Sequence, residues 1–195
     1  MPVVWAIGGG VAAGKSTVAS ILREKGIEVW ELDRLSRELS RKGGPLWKNI
    51  VRVFGPHFLT PTGELDRAKL GKLVFRNWEN LFKLNSATHP VLLQEVRKKL
   101  ASLPPSQIVA IEGAVLFEAG FEPLWDKLIF VEAGEEIREK RLRRTKRLKK
   151  REIKERMRSQ RFLNCLRKRA DFILKNEGSV GELEEIIEDW LDELK

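Results

Sequence analysis

Short apolar runs alternate along this chain with longer stretches in which apolar residues recur every three or four positions. Runs of this length and continuity predict buried parallel strands. The longer stretches predict amphipathic helices that cover a sheet. The predicted strands are residues 3–7, 27–32, 107–112, 127–131 and 172–174. Their alternation with helices predicts an α/β fold, a five-stranded parallel sheet flanked by helices.

The longest interval between two predicted strands, residues 34–103, shows only helical patterns and turns. Gly43-Gly44-Pro45 and Gly55-Pro56 divide it into short helices. Pro90 predicts a kink or a boundary in the last of them, because proline disfavours helix in the residue before it. The region is therefore predicted to be a helical insertion between the second and third strands.

The turn after the first strand is rich in glycine and ends in a lysine and a hydroxyl residue. Gly9-Gly10-Val11-Ala12-Ala13-Gly14-Lys15-Ser16-Thr17 fits the pattern G-x-x-x-x-G-K-[ST]. Glycines let several backbone N–H groups point into one hollow, and the following helix adds its unpaired amides. Lys15 then supplies a charge to the outer phosphates and Ser16 a hydroxyl to Mg²⁺. A strand before the turn and a helix after it favour a nucleoside triphosphate site over a chance match.

Two carboxylates stand at the ends of the next two predicted strands. Asp33 ends the second strand and Glu112 ends the third. The carboxyl ends of parallel strands border the ligand crevice in open sheets, so both are expected near the phosphate loop. Glu112 is placed where an acid that organises Mg²⁺ belongs. Asp33 either activates an attacking hydroxyl or holds Mg²⁺ through water, or it simply caps the helix that follows.

Composition narrows the class of protein without naming a function. The chain has 195 residues, of which 42% are hydrophobic and 33% charged, as expected for one globular domain. No apolar run approaches the roughly 20 residues that span a bilayer. The single cysteine, Cys165, excludes an internal disulfide, and the two histidines exclude a Cys/His zinc cluster. We expect a cytoplasmic protein without a signal peptide or a membrane partner.

The net charge of +9 is concentrated in one segment. Residues 137–170 contain 17 Lys and Arg against 3 Glu, whereas the rest of the chain is acidic. Arg138, Arg141 and Arg144 recur at a spacing of three, which places them on one side of a predicted helix. A solvated helix face and a nucleic-acid surface are the alternatives. Beside a phosphate loop, the segment favours a basic helical lid that closes over polyphosphate, with at least one arginine on phosphate.

Several further motifs resemble one family, and they are more specific than the phosphate loop, which many families share. They follow the family's order over nearly the full length of the chain. They are Val29-Trp30-Glu31-Leu32-Asp33 with Arg37, Gly43-Gly44-Pro45, His89-Pro90, Leu116-Phe117-Glu118, Arg141-Leu142, Ser159-Gln160 and Ala170-Asp171-Phe172-Ile173-Leu174-Lys175-Asn176.

With these motifs the chain resembles the dephospho-coenzyme A kinases. The resemblance implies a fold of the P-loop kinase type and transfer of the γ-phosphate of ATP to the ribose 3′-hydroxyl of dephospho-coenzyme A, with Mg²⁺. It implies one domain, with a core of residues 1–33, 104–137 and 170–195, an acceptor-binding part at 34–103, and a lid with basic helices at 138–169. No oligomeric state follows from it.

The resemblance also implies roles for individual residues. Lys15, Asp33 and Arg141 would be catalytic. Ser16 would bind Mg²⁺, and Glu112 would hold it through water. Arg37, His89, Phe117 and Glu118 would bind the acceptor. The residues implied to bind ATP are Gly9, Gly10, Ala12, Ala13, Gly14, Lys15, Ser16, Thr17 and Arg144.

Three departures from the family pattern concern the site. Glu31 stands where the family usually has aspartate, and Glu112-Gly113-Ala114 stand where it usually has aspartate followed two residues later by proline. Thr145-Lys146 stand where its lid commonly has arginine followed by an acid or asparagine, which leaves either Arg144 or Arg147 to take the role of that arginine. A nucleoside monophosphate kinase, or another small-molecule P-loop kinase, is the nearest alternative. A nucleic-acid-binding P-loop ATPase is a more distant one, and we do not expect a nucleic-acid partner. The sequence motifs of a GTPase are absent.

Overall fold

A computed structural model describes residues 1–74, 76–146 and 163–193 of the chain. Its sheet has five parallel strands in the order β2-β3-β1-β4-β5, which confirms the predicted fold class. The first strand lies at the centre, so the loop that follows it opens at the middle of the carboxyl edge. The strands are β1 (Val3–Gly9), β2 (Glu28–Glu31), β3 (Ile108–Glu112), β4 (Lys127–Glu132) and β5 (Phe172–Lys175).

Alternating residues of β1 enter two separate cores. Trp5 and Ile7 pack with helices α1 (Lys15–Glu24) and α8 (Val180–Glu193) on one face of the sheet. Val4 and Ala6 pack on the other face, with the C-terminal half of a long helix and the loop after β3. Burial on both faces explains why the strand appears as a continuous apolar run.

The insertion between β2 and β3 is helical and has a core of its own. This core is made of Leu46, Ile50, Phe54, Phe58, Leu65, Leu70 and Val74. Its helices are α2 (Leu32–Leu39), α3 (Pro45–Phe54), α4 (Arg67–Val74) and α5 (Trp78–Ala101).

Helix α5 joins the two parts and corrects one prediction. Of the two alternatives predicted at Pro90, a kink or a boundary, the boundary is wrong, because α5 runs through this residue without interruption. Its first half packs against the core of the insertion and its second half, through Leu92 and Val96, against the sheet. Packing on both sides of Pro90 outweighs the local preference of proline to end a helix.

The basic segment is described only in part. Helix α6 (Glu135–Lys146) follows β4, and helix α7 (Leu163–Lys168) precedes β5. The remainder of the predicted lid, residues 147–162, lies outside the described residues. Across the described ranges, no helix is both long enough and apolar enough to cross a membrane.

Candidate active site

The phosphate loop joins the end of β1 to the start of α1. Gly14 precedes the helix with φ of 104°, a left-handed conformation that residues with a Cβ rarely adopt. A Cβ at this position would also overlap the side-chain amide of Asn176. The Ala13 N–H donates to the carbonyl of Gly10 at 3.1 Å, which closes the turn. Gly14 therefore satisfies both the backbone conformation and the close packing that the loop requires.

Lys15 is the first residue of α1, and its side chain bends back over the loop. Only 9% of it is exposed. Its ammonium donates to the carbonyls of Gly9 at 3.2 Å and Gly10 at 3.3 Å. The Nζ atom also lies 4.0 Å from Oε1 of Glu112. The structure thus joins the phosphate loop to the end of β3 through one ion pair.

Glu112 lies beside β1 and β2 in the register of the sheet, opposite Ile7 on one side and Glu31 on the other. Burial raises the pKa of its carboxyl group, Lys15 opposes the rise, and the charges of Asp33 and Glu31 add to it. Glu31 itself is held by Arg23 of α1 at 2.5 Å. Both glutamates that replace the usual aspartates therefore have a cationic partner at this edge.

Asp33 lies near these groups but not at a strand end. Strand β2 ends at Glu31 and α2 begins at Leu32, so Asp33 is in the first turn of the helix. Its prediction as the last residue of the strand is wrong by two positions, and the helix-capping position belongs to Glu31. Asp33 is exposed at the same edge as Glu112. An exposed carboxylate here can accept a hydrogen bond from a hydroxyl that approaches the loop.

Two of the three spaced arginines on α6 contact the backbone of the phosphate loop. Arg138 donates from Nε to the carbonyl of Val11 at 2.8 Å. Arg141 donates to the carbonyls of Ala12 at 3.4 Å and Ala13 at 3.2 Å. These bonds hold the outer side of the loop. Arg144 is exposed. Two of the three arginines therefore contact the loop, whereas the third faces solvent.

Asn176, directly after β5, is a site residue for which the chain offered no role beyond its place in a family motif. It is 6% exposed. Its Nδ2 atom donates to the Ala13 carbonyl at 2.8 Å, and its Oδ1 accepts from Arg141 at 3.2 Å. The backbone carbonyl of Asn176 accepts from Arg141 at 3.0 Å as well. Asn176 thus connects the end of β5, helix α6 and the phosphate loop.

Replacing Asn176 with alanine is expected to raise the KM for ATP about tenfold. The Ala13 carbonyl keeps its bond from Arg141 but loses the shorter bond from the amide, and the net loss of one such hydrogen bond typically costs about 0.5–1.5 kcal/mol, up to about tenfold in an equilibrium constant. Asn176→Asp is the matched variant, since it keeps an oxygen for Arg141 but has no N–H for Ala13. Steady-state kinetics over a range of ATP concentrations measure the effect. An unchanged KM in both variants would show that the amide does not position the loop.

The residues implied to bind the acceptor form a second group. His89 on α5 lies with Nδ1 3.1 Å from the backbone carbonyl oxygen of Glu118, and burial lowers the pKa of its imidazole. Phe117 is half-buried, and the guanidinium of Arg169 lies 5.6 Å from the centre of its ring. Arg37 is exposed on α2. The structure brings His89, Phe117 and Glu118 together.

Comparison with known proteins finds one family along nearly the whole chain. The dephospho-CoA kinase family model matches residues 3–182. A dephospho-CoA kinase from Carboxydothermus hydrogenoformans is 38% identical, covering 97% of this chain and 95% of that protein. Another from Enterococcus faecalis is 34% identical, covering 99% and 98%. These similarities extend over nearly the whole of each chain.

Solved structures agree in fold. A Thermus thermophilus crystal structure is 33% identical, with a TM-score of 0.83 over 100% of this chain and 98% of that one. Dephospho-CoA kinase from Campylobacter jejuni is 25% identical, with a TM-score of 0.71 over 100% and 98%. A shikimate kinase from Acinetobacter baumannii, 16% identical with a TM-score of 0.60, shares the fold alone. On the family match and the full-length relatives, this chain belongs to the dephospho-CoA kinase family.

Proposed function

We propose that this chain transfers the γ-phosphate of ATP to the 3′-hydroxyl of dephospho-coenzyme A, and that Asp33 activates that hydroxyl. The observation that carries the proposal is the meeting of three groups at one edge of the sheet. Lys15 contacts the phosphate loop and Glu112, and Asp33 is close enough to Glu112 to influence its pKa. A donor phosphate and an acceptor hydroxyl would therefore meet between Lys15 and Asp33. Family membership supports this acceptor.

ATP would lie with its phosphates on residues 9–17. The backbone N–H groups of the loop and the N-terminus of α1 would bind the phosphate oxygens, and Lys15 would leave the Gly9 and Gly10 carbonyls for the outer phosphates. Arg141 already reaches the loop, and Arg144 is one turn nearer the end of α6. Both arginines would add positive charge when the lid closes.

The oxygen donors at this edge suit Mg²⁺. Ser16 is exposed at the start of α1, and Glu112 supplies a carboxylate across the crevice. Within the described parts of the chain, no three or more His, Cys, Asp and Glu side chains gather as a metal site. That accords with Mg²⁺, which is commonly held by one or two protein oxygens, substrate phosphates and water. Bound Mg²⁺ would neutralise charge on the transferred group.

The acceptor would approach from the helical side of the crevice. Arg37, His89, Phe117 and Glu118 are the residues we assign to it. The His89 contact with the Glu118 carbonyl holds the loop after β3 against α5, so that Phe117 has a defined position. We also propose that the chain is divided into a core, an acceptor-binding part at 34–103 and a lid at 138–169. The proposed location of the protein is the cytoplasm.

A coupled ADP-release assay tests the reaction with dephospho-coenzyme A, adenosine and nucleoside monophosphates as acceptors. We expect turnover that requires Mg²⁺ and prefers dephospho-coenzyme A, with a product phosphorylated on the ribose 3′-oxygen. Preference for a nucleoside monophosphate would favour the nearest alternative instead. ADP release stimulated by polynucleotide, without a small acceptor, would favour a nucleic-acid-binding ATPase.

A further inference from the structure

Ala12, in the middle of the phosphate loop, has a backbone conformation that alanine rarely adopts. Its φ is 58°, in the left-handed region, where the Cβ atom crowds the neighbouring backbone. Glycine reaches this region without that cost. Strained residues of this kind persist only where the surrounding structure holds them. The contacts of the two peptide groups that flank Ala12 therefore decide how the loop keeps its shape.

Both of these peptide groups are held from helix α6. The carbonyl before Ala12, that of Val11, accepts from Nε of Arg138 at 2.8 Å. The carbonyl of Ala12 itself accepts from Nη1 of Arg141 at 3.4 Å. The bond from Arg138 is the shorter of the two, and the side chain that donates it is half-buried. Arg138 is therefore the stronger constraint on the conformation of Ala12.

The guanidinium of Arg138 also packs on Gly10. A Cβ atom at Gly10 would lie 2.5 Å from Cζ of Arg138 and 2.6 and 2.8 Å from its two Nη atoms. Gly10 is at a variable position of the motif, and its φ is not in the left-handed region, so neither the motif nor the backbone requires glycine there. The missing side chain instead gives Arg138 access to the Val11 carbonyl.

The bond to Arg138 fixes the direction of one N–H group of the loop. The peptide bonds of the loop are trans, and the C=O and N–H of a trans peptide point to opposite sides. Because the Val11 carbonyl is turned towards α6, the Ala12 N–H of the same peptide group points away from that helix. Among the residues that the structure describes, this N–H donates to no acceptor. It is therefore available to a phosphate oxygen.

We propose that Arg138 is a positioning residue for the phosphate loop, which holds Ala12 in its left-handed conformation and so directs the Ala12 N–H at a phosphate oxygen of ATP. The inference rests on the ATP site of the proposed function and does not depend on the acceptor. Arg138 offsets the strain at Ala12, so the loop is shaped for phosphate before ATP binds. Without Arg138, Ala12 relaxes to a negative φ, its flanking peptides turn, and ATP binding has to restore them.

Calorimetric titration with Mg²⁺ and the β,γ-imido analogue of ATP, without an acceptor, tests this role. Arg138→Ala is expected to raise the Kd about tenfold, as for the loss of a hydrogen bond from a charged donor. In the Ala12→Gly background, the same substitution should raise the Kd less than about threefold, because glycine adopts a positive φ without strain. The matched control is Arg143→Ala, which removes an equal charge from α6. Arg143 pairs with Glu139 at 2.6 Å, and its loss should leave the Kd unchanged.

An unchanged Kd in Arg138→Ala would overturn the inference. Equal losses in the two backgrounds would overturn it as well, because Arg138 would then act on ATP without acting through Ala12. If Arg138→Ala folds poorly, Arg138→Met gives the same comparison, since methionine keeps the aliphatic packing but lacks the donor. In turnover assays the KM for ATP should rise while the KM for the acceptor stays the same, which a general loss of structure would not produce. A parent protein that does not bind the ATP analogue would instead refute the proposed function, so the two failures are distinguishable.

Discussion

Replacing Lys15 with alanine is expected to lower kcat/KM for ATP by about a thousandfold. The ammonium is the buried cation of the site, with 9% of the residue exposed, and it is held by two carbonyls of the loop and by Glu112. Removing one preorganised donor from a phosphoryl or oxyanion site typically costs 10²–10³ in rate. Lys15 also contributes to binding of ATP in the ground state, so we expect kcat to fall and the KM for ATP to rise.

The Lys15→Ala measurement needs two controls. One tests whether removal of any positive charge from α1 lowers activity, and the other tests whether the variant is still folded. Lys25, at the other end of α1, is exposed and pairs with Glu188. Lys25→Ala should retain full activity. Thermal unfolding of both variants should stay close to that of the parent, because Glu112 can bind a proton more readily once Lys15 is gone. Kinetics of Lys15→Ala that match the parent would show that the loop does not bind the donor phosphates.

The sheet and the phosphate loop were predictable because their signals are local. A buried parallel strand is an apolar run, and the loop needs its glycines, lysine and hydroxyl at fixed spacing. The approach of Glu112 to Lys15 was also predictable in outline, since Lys15 comes after β1, Glu112 ends β3, and the carboxyl ends of these strands share an edge. What those signals do not contain is the order of the strands, which depends on how the whole chain packs.

Contacts between distant residues could not be predicted in this way. Asn176 lies 163 positions after Ala13, and its role in holding the loop depends on β5 pairing with β4. Arg67 on α4 donates to the backbone carbonyl of Arg37 on α2 only because both helices pack on the core of the insertion. Neither residue belongs to a motif of fixed spacing that specifies its partner. The family motif contains Asn176 but does not say what it contacts.

The end of the second strand, and with it the position of Asp33, could not be predicted to the residue either. The strand predicted over residues 27–32 was too long, because Leu32 is buried at the start of α2 rather than at the end of β2. A single buried leucine fits a strand or a helix equally well. The change moves Asp33 onto a helix that belongs to the insertion. Asp33 therefore connects the acceptor-binding part to the edge that carries the phosphate loop.

The Asp33→Asn substitution should lower kcat by at least about 100-fold while leaving the KM for ATP nearly unchanged. The amide matches the carboxylate in size but cannot accept the proton of the attacking hydroxyl, and a positioned base typically contributes 10²–10⁴ to the rate. Asp33 is exposed, on a different element from the phosphate loop, so ATP binding does not depend on it. Asp33 thus orients the hydroxyl, whereas Lys15 neutralises charge on the transferred phosphate.

The control for Asp33→Asn is Glu38→Gln, an acid on the same helix that pairs with Arg34 on the surface. It removes the same charge at a distance from the crevice and should keep normal turnover. Pre-steady-state measurement of product formation separates the chemical step from product release, and the loss should appear in the chemical step. If Asp33→Asn retained parental turnover, hydroxyl activation would have to come from another group. Glu112 is an acid at the same edge, and burial, the main cause of its raised pKa, would remain without Asp33, so the rate of that variant would depend on pH above the range of an ordinary carboxyl group.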